Sequence, residues 1–204
     1  MVLSLKRRTA VMLPILLAAC GDDERPVPKR GGFPPLRYGY LPPINLNVKR
    51  VEMAEGFTSP PVGNGEVIGL SPVDPVETLF AMARDRLKPV SNGGTARFGI
   101  LTTSITRRRD MLNGTLAVRL DVRDGEDTNS GYAEARVTAD RNGPVSDQRE
   151  IIYEMLKSMM EQMNVELEFQ IRKNLRSWIV EPPAGVPRVD PSATPPITPA
   201  PSRS

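Results

Sequence analysis

From Leu116 to Arg123 the chain alternates without a break, with Leu116, Val118, Leu120 and Val122 on one side and Ala117, Arg119, Asp121 and Arg123 on the other. A period of two belongs to a half-buried strand. The same period returns in Ala133, Ala135, Val137 and Ala139 set against Tyr132, Glu134, Arg136 and Thr138, and Ala96, Phe98 and Ile100 mark a strand ahead of both. Polar turns at Asn113-Gly114 and from Asp124 to Gly131 make this an antiparallel meander. A sheet with one apolar and one polar face needs a single covering layer, and the small alanines of the last strand let a helix come close.

The chain supplies that layer. Ile152, Leu156, Met159, Met160, Met163, Leu167, Ile171, Leu175 and Trp178 form an apolar stripe at helical spacing. The predicted helix runs from a cap at Ser146 to about Ile179. Some 33 residues rise roughly 50 Å, against about 27 Å for an eight-residue strand, so this helix is expected to overhang its sheet. Met155, Met159, Met163 and Phe169 are the candidate partner-binding surface on it, with core filling the competing role of Met159 and Met163.

Asp74-Pro75-Val76-Glu77 starts a second helix, with Asp74 as cap, Pro75 in the first turn and Glu77 closing a capping box. Val76, Leu79, Phe80, Ala83 and Leu87 share its apolar face. Before it, Ile44, Leu46 and Val48 alternate with polar residues, the phase slips at Lys49-Arg50, and Val51 and Met53 resume it. This reads as one strand with a bulge. The order is β-α-β-β-β-α over residues 44–180: an α+β domain with a four-stranded, mainly antiparallel sheet and two helices on one face.

The flanks differ in kind. Many of the 21 prolines lie outside that span. Residues 20–43, rich in Pro, Gly, Lys and Arg, read as a flexible tether, with Tyr38 and Tyr40 docking its end. Residues 181–204 hold eight prolines and read as a disordered tail.

Residues 1–19 have the form of a cleaved export signal: Lys6-Arg7-Arg8, then a short apolar run from Thr9 to Leu17. Leu17-Ala18-Ala19-Cys20 has the form of a lipobox, cut between Ala19 and Cys20. The Cys20 thiol then accepts diacylglycerol, whose acyl chains, such as palmitate, hold the residue in the membrane. Cys20 is the only cysteine, so no internal disulfide forms. Anchoring places the protein in the cell envelope facing the periplasm, and Gly21 after the cysteine favours the outer membrane over the inner. Without residues 1–19, Lys+Arg falls from 27 to 24 against 24 Asp+Glu, so the mature chain is near neutral and no nucleic-acid partner is expected.

The chain has no histidine. With Cys20 acylated, Ser-His-Asp and Cys-His nucleophilic systems and His-containing zinc sites are removed. The reading is a non-enzyme with no catalytic residues, no metal site and no cofactor beyond the lipid on Cys20. Asp121 to Asp127 lacks the ligand spacing of an EF-hand and reads as a hairpin turn; Asn92-Gly93-Gly94-Thr95 reads as a plain turn. Arg107-Arg108-Arg109, the densest positive run in the domain, is the candidate site for lipid or phosphate groups. The competing reading is a solvated loop.

Asn113 to Val122 followed by Tyr132 to Ala139, and Ser146-Asp147-Gln148-Arg149-Glu150-Ile151-Ile152-Tyr153-Glu154-Met155 opening the last helix, resemble small envelope lipoproteins over about Ile44 to Leu175. These are the lipopolysaccharide-assembly lipoproteins that plug the outer-membrane translocon and the auxiliary lipoproteins of lipid-transport ABC systems. The basic tether and the Pro-rich tail depart from that family pattern. The resemblance implies an accessory that binds an envelope membrane-protein partner or handles lipopolysaccharide or phospholipid. The alternative is a scaffolding lipoprotein that engages a periplasmic or cell-wall partner.

Overall fold

The computed structural model describes residues 32–126, 128–143 and 147–181. Its frame is a meander of three long strands, β4 (Thr95–Arg108), β5 (Met111–Arg123) and β6 (Ser130–Asn142). The β5–β6 register runs unbroken from Met111 opposite Asn142 to Arg123 opposite Ser130. In β4–β5 it slips once, between Ile100 and Thr102. This bulge changes which parity of β4 faces inward: Ala96, Phe98 and Ile100 are buried before it, Thr103 and Ile105 after it.

The expected turn at Asn113-Gly114 lies inside β5, and the chain reverses at Arg109-Asp110 instead. Gly114 serves closeness rather than turning. A Cβ there would sit 2.5 Å from Met159 Sδ and 2.8 Å from Met155 Cε.

The sheet is mixed. β2 (Arg50–Met53) lies parallel to the first half of β4, giving the order β2-β4-β5-β6. Along the second half of β4, Val67 N donates to the Ile105 carbonyl at 2.8 Å and Arg107 N to the Gly65 carbonyl at 2.6 Å. The single bulged strand expected from Ile44 to Met53 is two strands in two sheets. β1 (Ile44–Leu46) pairs in parallel with β3 (Leu87–Pro89). Between β1 and β2 the backbone changes partners: Asn47 N donates to the Trp178 carbonyl at 2.8 Å and Lys49 N to the Gly94 carbonyl at 3.1 Å. Parallel pairs need a crossover, and α1 (Pro75–Arg86) lies within the crossover of both.

Asp74 caps α1, accepting from Val76 N at 2.8 Å and Glu77 N at 3.3 Å. The Glu77 carboxylate pairs with Arg84 rather than closing a capping box. Leu87, expected on the helix face, opens β3 opposite Ile44. The long helix α2 (Gln148–Asn174) is capped by Asp147, which accepts from Arg149 N at 3.1 Å and Glu150 N at 3.2 Å; Ser146 lies outside the described residues. Its 27 residues rise about 40 Å. Strands of 13 and 14 residues span about 43–46 Å, so the helix matches the sheet and the expected overhang is absent.

Both helices cover one face. Phe80 of α1 meets Phe98 edge-on, ring centroids 6.3 Å apart. Met159 of α2 fills the space over Gly114, and a Cβ on Gly131 would meet Leu175 Cδ2 at 2.8 Å. The opposite face presents Arg97, Arg119, Asp121, Arg123, Glu134 and Arg136.

Packing begins before β1. Phe33 packs against Tyr153 with ring centroids 5.0 Å apart and planes tilted by 50°, and Tyr153 donates its hydroxyl to the Pro34 carbonyl at 3.0 Å. Tyr38 is buried, its amide donating to Asp85 Oδ2 at 2.9 Å, while Tyr40 is 75% exposed. Residues 33–43, expected in the tether, thus pack on the domain. The signal segment, Cys20, the rest of the tether and the Pro-rich tail from residue 182 lie outside the described residues.

Candidate functional site

The three candidate arginines occupy the β4–β5 hairpin. Alternation along a strand sends neighbours to opposite sides, so Arg107, paired with Leu112, faces the helix-bearing side and Arg108, paired with Met111, the open side. Arg109 sits in the turn at φ +55°. Arg107 Nε donates to the Arg109 carbonyl at 3.1 Å, which spends one arm of that guanidinium on the hairpin itself. Arg107 is half-buried; Arg108 and Arg109 are exposed. The three side chains leave in different directions and close on no single point. Such a tip suits an extended anionic surface better than one enclosed phosphate.

Other elements meet this end. Gly143 N donates to the Asp110 carbonyl at 3.1 Å. The first turns of α2 follow, bearing Tyr153 with Phe33 on its ring and Met155 against Gly114. Phe33 therefore packs at the hairpin end of the domain.

The partner-helix candidates divide. Met155, Met159 and Met163 are buried in the core. That corrects their assignment to a partner surface: Gly114 leaves room into which Met155 and Met159 pack, so these side chains complete the sheet–helix interface. Phe169 is 54% exposed and Val165, one turn earlier, 72%. Phe169 carries Lys173 Nζ 5.8 Å from its ring.

Sequence reasoning missed two charged groups. The first centres on Arg86, 3% exposed at the end of α1. It donates Nε to the Pro42 carbonyl at 3.0 Å, Nη1 to Asn164 Oδ1 at 3.1 Å and Nη2 to Glu168 Oε2 at 2.5 Å. Asn164, also buried, donates to the Met160 carbonyl at 2.9 Å. Glu168 accepts from Arg172 Nε at 2.9 Å, and Arg172 reaches Glu181 at 2.7 Å. Burial works against the Glu168 carboxylate, but hydrogen bonds and charge from Arg172 and Arg86 outweigh it and hold its carboxyl below the usual range. The signal was present: Arg86 continues the Leu79–Ala83 face of α1, and Asn164 interrupts the apolar stripe of α2. A buried polar residue on an apolar face implies a partner.

The second group lies on the open sheet face, at the end away from the hairpin. Lys49, Arg50, Arg97, Arg119 and Arg123 share a hollow of about 750 Å³ with Glu52, Asp121 and Asp124. Arg119 donates Nε to Asp121 at 2.9 Å and Nη1 to Glu134 at 3.0 Å, and lies 4.1 Å from the Tyr132 ring centre. Asp124 accepts the Thr128 hydroxyl at 2.7 Å and the amides of Thr128 and Glu126 at 2.9 and 3.2 Å. These bonds, the Thr128 hydroxyl foremost, hold its carboxyl below the usual range. Asp124 thus braces its own hairpin loop, as a turn residue does. Comparison with known proteins finds no matching family model and no matching curated protein.

Proposed function

We propose that this protein is a non-enzymatic, lipid-anchored envelope lipoprotein that faces the periplasm, most consistent with the outer membrane, and serves as an accessory in outer-membrane or lipopolysaccharide assembly or in lipid transport. The observation that carries the reading is Cys20, the only cysteine, closing Leu17-Ala18-Ala19-Cys20 behind a basic and then apolar leader. The packed region supports it in two ways. Among the described residues Phe33 is the first that packs on the domain; on this reading residues 21–32 link anchor to domain, and twelve residues reach about 40 Å when fully extended. Phe33 packs on the first turns of α2, at the same end of the sheet as the hairpin bearing Arg107, Arg108 and Arg109, and cations near an anionic leaflet are each favoured by about 1 kcal/mol.

Metabolic labelling with an alkyne palmitate tests the anchor. Label should appear on the wild-type chain and vanish in Cys20→Ala, with release from the membrane fraction; label retained in Cys20→Ala ends the reading. Affinity capture from crosslinked membranes tests the role. A β-barrel translocon or lipid-transport ABC subunit enriched over the Cys20→Ala control supports the accessory. Recovery of peptidoglycan-associated proteins alone supports a tethered scaffold instead.

A further inference from the structure

The open sheet face carries a charge pattern that the packing of the fold does not consume. Register places Arg50, Thr95 and Arg123 in one cross-strand row, Glu52, Arg97, Asp121 and Tyr132 in the next on the same face, and Gly99, Arg119 and Glu134 in the third. Directly opposed residues in a sheet lie about 5 Å apart and diagonal ones about 7–8 Å. Arg97 is therefore flanked by Glu52 and Asp121 and ringed diagonally by Arg50, Arg119 and Arg123. Both flanking carboxylates are engaged elsewhere, Glu52 with Arg50 and Asp121 with Arg119. Among the described residues Arg97, Arg123 and Lys49 form no ion pair. Three uncommitted cations thus share one hollow.

The backbone beneath them is fixed. β4 and β5 are the central strands of the sheet. Gly94, at φ +78°, lies so close to β5 that a Cβ would come within 2.6 Å of the Arg123 carbonyl oxygen, and its own carbonyl holds the Lys49 amide. Like charges held in place repel one another, and a compact phosphate anion relieves that repulsion while filling the hollow. Guanidinium groups match phosphate oxygens two at a time, and Lys49 adds a point charge.

We propose that this hollow binds a phosphate group, with Arg97 at its centre and Arg123 and Lys49 closing on it. The site lies at the opposite end of the sheet from the arginine hairpin and does not depend on lipidation of Cys20. The same chemistry is offered by a phospholipid headgroup and by a soluble phosphate compound.

Inorganic pyrophosphate titrated into the full-length protein in neutral detergent at low ionic strength, read by calorimetry, tests it. Saturable binding is expected, and Arg97→Gln should weaken it about tenfold or more, the effect of losing a charged hydrogen-bonding partner. Asp121→Asn should tighten it, since it frees Arg119 and removes a negative charge beside Arg97, an effect that a merely structural role for this cluster does not produce. Arg108→Gln on the hairpin should leave it unchanged. Competition then identifies the source. Displacement of pyrophosphate by phosphatidylglycerol vesicles, and not by phosphatidylcholine vesicles, marks a headgroup site; no displacement by either marks a soluble phosphate compound. Absence of saturable binding, or equal binding by wild type and a folded Arg97→Gln variant, overturns the proposal.

Discussion

One guanidinium, that of Arg86, joins the segment before β1, the end of α1 and the middle of α2 through Pro42, Asn164 and Glu168. Arg86→Met keeps the bulk but leaves Asn164 Oδ1 without its donor and Glu168 with Arg172 alone. Breaking a buried pair costs about 3–5 kcal/mol; with Glu168 partly exposed, a loss near the lower figure is expected in urea unfolding. Arg86→Lys should recover only part of it, because one ammonium cannot copy the planar fork across three acceptors. The pH dependence follows from two shifts. Glu168 is held below its ordinary range, so its contribution is complete above about pH 5 and is lost as pH falls through its folded value. Burial foremost, with nearby Tyr40, Glu161 and Tyr153, pushes the Tyr38 hydroxyl well above its ordinary value. Its contribution is complete below about pH 9 and is lost as pH rises past its unfolded value near 10. The Tyr38 hydroxyl has no hydrogen-bond partner among the described residues. Tyr38→Phe should therefore raise stability by up to about 1 kcal/mol and reduce the alkaline loss. A lower urea midpoint in that variant counts against a partnerless hydroxyl.

At the scale of elements, the α2–sheet contact depends on what is missing from the strands. Gly114, Gly131, Ala133 and Ala135 give α2 its seat. Gly114→Val would push methyl groups into Met159 and Met155, and overpacking of this kind costs about 1–3 kcal/mol. Adding Met159→Ala should return part of that loss, a coupling that a double-mutant cycle measures directly; strict additivity would mean the two side chains do not compete for one space. The strands were readable where alternation was clean, from Leu116 to Val122 and from Ala133 to Ala139. They were not readable from Leu101 to Asn113, where Thr, Ser and Arg occupy both faces and the bulge after Ile100 changes the phase. That concealed half of β4 and made Gly114 resemble a turn residue, which shortened the strands and produced the expected overhang. The helix start was off by one because Ser146 and Asp147 are both good caps. The meander and the stripe of α2 were readable because their periods come from burial. The partners of β1 and β2 were not, since β1 pairs with Leu87–Pro89 and β2 with Thr95–Phe98, both far along the chain.

At the scale of the molecule, charge is concentrated at two ends of one sheet. The arginine run was visible as composition. The phosphate hollow was not, because Arg97 and Arg123 meet only through register and Lys49 joins them through the hydrogen bond of its amide to the Gly94 carbonyl. The rows bearing Arg123 and Met111 are 12 residues apart on β5, about 40 Å, so one flat membrane need not serve both. On the proposed anchoring through Cys20, with Phe33 on the anchored side, the hairpin would face the leaflet that holds the lipid and the hollow would face away from it. Attraction between the hairpin and that leaflet acts over a Debye length, about 8 Å at physiological salt. Amide exchange at Arg109–Leu112 in the lipidated protein should then be slower in vesicles containing phosphatidylglycerol than in neutral ones. The difference should disappear at high salt and in the Arg107→Ala, Arg108→Ala, Arg109→Ala triple variant, with anchoring itself unchanged. Equal exchange in both kinds of vesicle would turn the hairpin away from the membrane and leave its arginines as a solvated loop.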